Sequence, residues 1–166
     1  MTDAAVEPVR SIRTPIRIEY VYSAGHAASR FLHALAEGRI VGQRCPVCQR
    51  VYVPPRGSCP TDAVATSEEI ELPHVGTVTT FCVVRVPFKG MRIELPYVTA
   101  QILLDGAHIA LMHMVSGVPA EQVRMGMRVE AVWKPREEWG TTLENIMYFK
   151  PTGEPDADYD TYKAYL

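Results

Sequence analysis

The sequence predicts a mainly β protein, with one N-terminal helix and a metal-binding ribbon placed ahead of the β region. Three observations carry that expectation. Thirteen prolines are spread along 166 residues, and an interior proline breaks a helix, which works against a helical bundle. Three of the four cysteines fall between positions 45 and 59, at a spacing that suits metal ligands. From Gly76 onward, short runs rich in Val, Ile, Thr and Phe are separated by turn residues, the pattern of successive short strands. The length argues for one domain or two small ones. With 47% apolar and 22% charged residues, wholesale disorder and coiled-coil rods are excluded.

Taken in order, residues 10–24 alternate loosely (Ile12, Ile16, Ile18, Tyr20, Tyr22) and predict an extended arm interrupted by Pro15. Between Gly25 and Gly38, apolar Ala28, Phe31, Leu32, Leu35 and Ala36 recur at helical steps, with Gly38 as the stop. Residues 39–66 hold the cysteines, with strand-like Arg39–Arg44 leading in, Val51–Val53 between the pairs, and Pro54-Pro55 forcing an extended connector. Strands are then expected at Thr77–Val86, Tyr97–Leu104, Ala107–Met114 and Met127–Lys134, with a last one near Leu143–Tyr148. Asp105-Gly106 reads as a two-residue type I′ hairpin turn, and Pro119–Val123 as a short helical stretch. Five strands and one small helix in about 75 residues make a small closed barrel, for which the OB-fold is the commonest solution. From Pro151 the chain is acidic and rich in tyrosine, which predicts a solvated tail whose Tyr159, Tyr162, Tyr165 and Leu166 remain able to dock. The expected division is an arm and helix over 1–38, a zinc ribbon over 39–70, an OB-fold over 71–150 and a tail over 151–166.

The cysteine segment reads Cys45-Pro-Val-Cys48, ten residues, then Cys59-Pro-Thr-Asp62. A C-x-x-C knuckle aims two thiolates at one ion, and a second pair completes a tetrahedron. Here Asp62 stands at the fourth corner. Carboxylate is an acceptable zinc ligand, although a hard ligand beside three soft ones weakens the hold. Structural zinc on Cys45, Cys48, Cys59 and Asp62 is the preferred reading. A ribbon that folds without metal and a thioredoxin-like redox pair are the alternatives, the latter lacking a βαβ context. His74 is the substitute fourth ligand, ranked below Asp62. Cys82, inside a strand, is expected to be a buried small hydrophobe.

Residues 1–60 carry eight Lys/Arg against four acids, and residues 61–166 carry nine against fifteen. A basic front and an acidic rear suit a charged partner or an anionic ligand. The acidic barrel half argues against a single-stranded nucleic-acid groove, which stays as the alternative of another class. No window of about 18 apolar residues occurs, so no membrane span is expected. The first residues lack a secretory pattern, and a cytoplasmic location is expected. There is no nucleophile elbow, Gly-rich phosphate loop or H-E-x-x-H. His108 and His113 differ in strand parity and cannot easily pair. No catalytic residue is therefore nominated, and the chain is not expected to be an enzyme on its own.

At this point the residues carry a resemblance. The helix ends Phe31-Leu-His-Ala-Leu-Ala-Glu-Gly-Arg-Ile40, followed by Gln43-Arg44-Cys45-x-x-Cys48, Pro54-Pro55-Arg56 and Cys59-Pro60. Then come Gly76-x-Val78, Pro96-Tyr97-Val98-x-Ala100 and Gly126-Met127-x-Val129. Over about residues 25–150 this combination resembles the DUF35 family, with Asp62 as the departure at the family's fourth cysteine. The resemblance implies a rubredoxin-like zinc ribbon followed by an OB-fold. It also implies a noncatalytic accessory subunit that binds a thiolase-superfamily enzyme and helps to hold its acyl-CoA. Such partners include acyltransferases, an archaeal acetoacetyl-CoA thiolase working with HMG-CoA synthase, and lipid-transfer-protein-type retro-aldolases (C–C lyases) of steroid side-chain degradation. The last is the leading expectation and an acyl-CoA thiolase or acyltransferase complex the alternative. Arg56, Arg85, Lys89 and Arg92 are the nominated contacts for CoA phosphates. Phe88 and Met91, in an apolar loop, are nominated for partner docking.

Overall fold

Helix α1 (Gly25–Ala36) buries Phe31, Ala34 and Leu35, the i, i+3, i+4 stripe that a single packed face requires. It comes from a computed structural model, which describes residues 11, 16–87, 89–91 and 93–166. Ile12 and Pro15 of the arm, and Phe88 and Arg92, lie outside the described residues. The helix is closed at its C-terminus by paired bonds: the Gly38 N–H donates to Leu35 O (3.1 Å) and the Arg39 N–H to Ala34 O (2.9 Å). This geometry needs a left-handed residue, and Gly38 has φ +78°. A Cβ at Gly38 would also lie 2.5 Å from the Trp139 ring. Leu35 O accepts a further bond from Asn145 Nδ2 (3.0 Å). Asn145 is wholly buried, and its amide clasps Gly140 through both O (2.7 Å) and N–H (3.0 Å). One amide thus locks the helix end to the barrel.

Strand β1 (Ile40–Arg44) lies between β2 (Val51–Tyr52) and β3 (Glu68–Leu72), antiparallel to both. The strand β3 was not expected. Glu68-Glu69-Ile70-Glu71-Leu72 offers only two apolar residues, and it forms because β1 presents a free edge and Arg44 and Arg39 meet Glu68 (3.4 Å) and Glu71 (3.6 Å) across the pair. The remaining strands, β4 (Val75–Val84), β5 (Tyr97–Leu104), β6 (Leu111–Val115), β7 (Arg128–Trp133) and β8 (Ile146–Pro151), close a barrel in the order β4-β5-β6-β8-β7. The β6–β8 contact is parallel at Val115 and Phe149, which gives the OB-fold closure expected for five strands. Strand β5 alternates cleanly, burying Val98, Ala100, Ile102 and Leu104. With Val78, Val129, Ile146 and Phe149 these fill the barrel and continue into Leu35, Ile40 and Val41.

Four local expectations are corrected. Strand β6 starts at Leu111 rather than Ala107. Ala107 N–H does bond Leu104 O (2.9 Å), but among the central residues only Gly106 has positive φ (+83°), whereas a type I′ turn needs two. Residues 107–110 leave the barrel to meet the ribbon. The last strand begins at Ile146, because Leu143–Asn145 forms a 3₁₀ turn whose first amides are capped by Thr142 Oγ1 accepting from Glu144 N–H (3.2 Å). In β4 a bulge between Val78 and Thr80 inserts Thr79, which reverses the parity beyond it. Cys82 therefore faces outward opposite Thr99 and is exposed, not buried. The tail is docked rather than solvated: Ala157 N–H bonds Gly126 O (2.8 Å), Asp156 accepts two bonds from Arg124 (2.5 and 2.7 Å), and Tyr162 of the short helix α2 (Tyr159–Tyr162) is buried.

Gly38→Ala should destabilise the protein by roughly 2 kcal/mol or more, combining left-handed strain with displacement of Trp139. Asn145→Ala should cost about 2–3 kcal/mol by leaving buried backbone groups unpaired. Urea unfolding at unchanged m-value is the check. A Gly38→Ala change within about 0.5 kcal/mol would mean that neither constraint acts.

Candidate metal centre

The centre is built from two knuckles that repeat the same local structure fourteen residues apart. In the first, the Cys45 N–H donates to Arg50 O (2.9 Å) and the Gln49 N–H to Cys45 O (3.1 Å); in the second, the Cys59 N–H donates to Val64 O (2.8 Å) and the Ala63 N–H to Cys59 O (3.0 Å). Gln49 (φ 60°) and Ala63 (φ 54°) are both left-handed, where glycine would be easier. The second knuckle thus holds Asp62 in the place that Cys48 holds in the first. Amides point at sulfur in each: Val47 N–H at Cys45 Sγ and Asp62 N–H at Cys59 Sγ, both at 3.4 Å.

The four candidate ligand atoms lie within 4.8 Å of one another. Asp62 Oδ2 is 3.2 Å from both Cys45 Sγ and Cys59 Sγ, and Cys48 Sγ is 3.7 Å from Cys59 Sγ. A tetrahedral ion with bonds near 2.3 Å separates its sulfurs by about 3.8 Å, so the donor set fits zinc in spacing and in kind. Electrostatics agree. Thiol hydrogen bonds, from Cys48 first and then Cys45 and Cys59, hold the Asp62 carboxyl below its ordinary value, and Asp62 in turn pushes Cys48 up to about 11. A bound cation would take the place of the thiol protons. Tyr52, buried beside them, brings its hydroxyl to 3.3 Å from Cys59 Sγ. His74 is not in the cluster; its Nδ1 accepts from Trp133 Nε1–H (3.1 Å).

The other nominated residues are scattered. Arg56 is exposed and lines a cleft of about 470 Å³ with Gln101, Ile109, Met112 and Tyr165. Arg85, beyond the end of β4, is ion-paired with Glu121 (3.0 Å). Lys89 is exposed and Met91 half-buried, while Phe88 and Arg92 lie outside the described residues. His113 Nδ1 accepts from Met114 N–H (2.9 Å) and its ring meets Phe149 edge-on. His108 sits in the β5–β6 loop and accepts from Val51 N–H (3.1 Å). The sequence reading did not nominate the exposed face of the arm, whereas Val86 and Ile93 flank the loop that it did nominate. Ile16, Ile18, Tyr20 and Tyr22 of the arm are all more than 70% exposed, and Val86, Ile93 and Met112 are also open. The loose alternation of residues 16–22 was the available signal.

Two family models match the chain, one described as the ChsH2 rubredoxin-like zinc ribbon domain over residues 32–65 and one as the ChsH2 C-terminal OB-fold domain over residues 69–134. A DUF35 domain-containing scaffold protein of Methanocaldococcus jannaschii is 40% identical over 103 residues, which is 61% of this chain and 72% of that protein. A probable enoyl-CoA hydratase alpha subunit of Thermomonospora curvata is 27% identical over 103 residues, and the match spans only 32% of its length. Among solved structures, a chain of an Ltp2-ChsH2(DUF35) aldolase superposes with a TM-score of 0.59 at 25% identity, covering 76% of this chain and 95% of that one. A DUF35-family protein of unknown function from Sulfolobus solfataricus shares the fold (TM-score 0.57, 19% identity, 76% and 84% covered).

Elemental analysis should return about one zinc per chain, and Cys48→Ser should lose both the metal and the ribbon fold, because structural zinc supplies folding free energy directly. Asp62→Cys should bind at least as tightly. A metal-free native protein of undiminished stability would contradict the centre.

Proposed function

The chain belongs to the DUF35 family, and from that premise we propose that it is a noncatalytic accessory subunit of an acyl-CoA-processing enzyme of the thiolase-like or lipid-transfer-protein type. The observation that carries this reading is the likeness to a chain of an aldolase complex, 95% of which is covered. The preferred reaction is accordingly retro-aldol cleavage of a C–C bond in an acyl-CoA, such as a steroid side chain. A thiolase or acyltransferase complex is the second reading, favoured by the scaffold description of the archaeal relative. Zinc on Cys45, Cys48, Cys59 and Asp62 is structural in this scheme.

The employment of the histidines supports the division of labour. His74, His108 and His113 each commit Nδ1 to accepting a structural N–H, and a general base needs a free lone pair. The apolar arm Ile16–Tyr22 and the loop around Val86, Phe88, Met91 and Ile93 are suited to docking. Arg56, Arg85, Lys89 and Arg92 would supply cations for CoA phosphates. No helix among the described residues is long and apolar enough to cross a membrane, and a cytoplasmic site of action goes with this proposal.

Such a subunit can lower a barrier by holding reactants in place without moving a proton. The purified chain alone should turn over no acyl-CoA, and mixing with its enzyme partner should restore activity. In the complex, Arg56→Ala should raise KM more than it lowers kcat, because a phosphate contact binds ground and transition states alike. Turnover by the isolated chain would overturn the proposal. Separately, Ile18→Asp and Tyr20→Asp should leave Tm unchanged and weaken association by about 1 kcal/mol or more each. A fall in the Tm of the isolated chain would show that the arm is packed on its own protein.

A further inference from the structure

Strand β2 is two residues long and is paired on one side only, to β1. Its other edge is filled by a residue of the barrel. The His108 N–H donates to Val51 O (2.9 Å), and the Val51 N–H donates to His108 Nδ1 (3.1 Å). One residue of the β5–β6 loop therefore satisfies both groups that a third strand would have taken. Beside it, Ile109 packs against the main core and also against the cluster of Cys45, Tyr52 and Cys59. From the tail, the Tyr165 ring meets the His108 ring edge-on at 6.1 Å. Ribbon, barrel and tail converge on one imidazole.

An imidazole nitrogen accepts a hydrogen bond only while it carries no proton. We propose that His108 is a protonation-controlled latch: neutral, it holds the ribbon edge to the barrel; protonated, it turns an N–H toward the Val51 N–H and releases the seam. The charged groups around it do not offset that loss. From the ribbon come Arg44 and Arg50, the former paired with Glu68 (3.4 Å). From the barrel come Asp105 and Arg128, held to each other by two bonds (2.8 and 2.6 Å). From the tail come Asp158 and Tyr165, which line the same groove. Burial first, then Arg50 and Arg44, holds His108 below the ordinary imidazole value. The contribution of the latch is thus fully present above the unfolded-state value of about 6.5 and is lost as pH falls from there through the lower folded value. Arg56, Ile109 and Tyr165 wall one cleft, so release of the seam would reshape a surface open to ligands.

The test is amide hydrogen exchange on the zinc-loaded full chain at pH 7.5 and 5.5, corrected for intrinsic rate, with His108→Asn as the comparison. Asparagine Oδ1 lies where Nδ1 lies and accepts at both pH values. In the native protein the protection of the Val51 amide should fall about tenfold or more at pH 5.5, the scale of one lost hydrogen bond, while amides of β7 and β8 keep theirs. In His108→Asn it should hardly change. Equal loss in both proteins, or zinc release accompanying the loss, would overturn the latch, as would no loss in the native protein. Should the variant misfold, the native chain decides: the Val51 amide resonance must titrate with the midpoint of the His108 ring, and different midpoints refute the proposal.

Discussion

Three thiols and a carboxylate gathered within 4.8 Å repel one another as soon as they ionise, and a bound cation is what makes their gathering favourable. Much of the N-terminal half depends on that gathering. The two knuckles have few apolar side chains of their own, and their small cluster is little more than Cys45, Tyr52 and Cys59. Held at the ligands, they fix the ends of β1 and β2. Strand β1 then delivers Ile40 and Val41 to the main core and receives α1 through the closed turn at Gly38.

From there the connection to the barrel runs through side chains that satisfy backbone. Asn145 takes the Leu35 carbonyl, and His108 takes the exposed edge of β2. These are directional bonds from buried or half-buried groups, so they set orientation as well as attachment. The barrel has no free edge, since its five strands close. Among the described residues, the open surfaces include the apolar arm, Val86 and Ile93 beyond β4, and the cleft beside Arg56. That distribution suits a protein whose task lies at its contacts with others, and it agrees with a membership shared with a chain of an aldolase complex.

Much of this was legible in the residues. The C-x-x-C and C-x-x-D spacing brought together all four candidate ligands, and helical and strand periodicities located α1 and the barrel. What escaped had physical causes. The strand β3 is set by the vacant edge of β1, not by its own glutamate-rich composition. The exposure of Cys82 follows from one inserted residue, Thr79, which no alternation rule anticipates. Asp105-Gly106 has the composition of a hairpin turn, yet the following residues are drawn to Val51, a contact 57 positions away. Asn145 and Trp139 carry no local signature, because their partners lie in α1 and at Gly38. The ion pair of the nominated Arg85 with Glu121 joins residues 36 positions apart and has no local signature.

Whether the ribbon depends on a zinc site completed by Asp62 is open to direct measurement. X-ray absorption at the zinc edge on the native protein and on Asp62→Ala tests it most directly. One zinc with three sulfur neighbours and one carboxylate oxygen is expected in the native protein, and loss of that oxygen, with weakened metal retention, in the variant. An unchanged spectrum in Asp62→Ala, or a folded ribbon with no zinc edge at all, would contradict it.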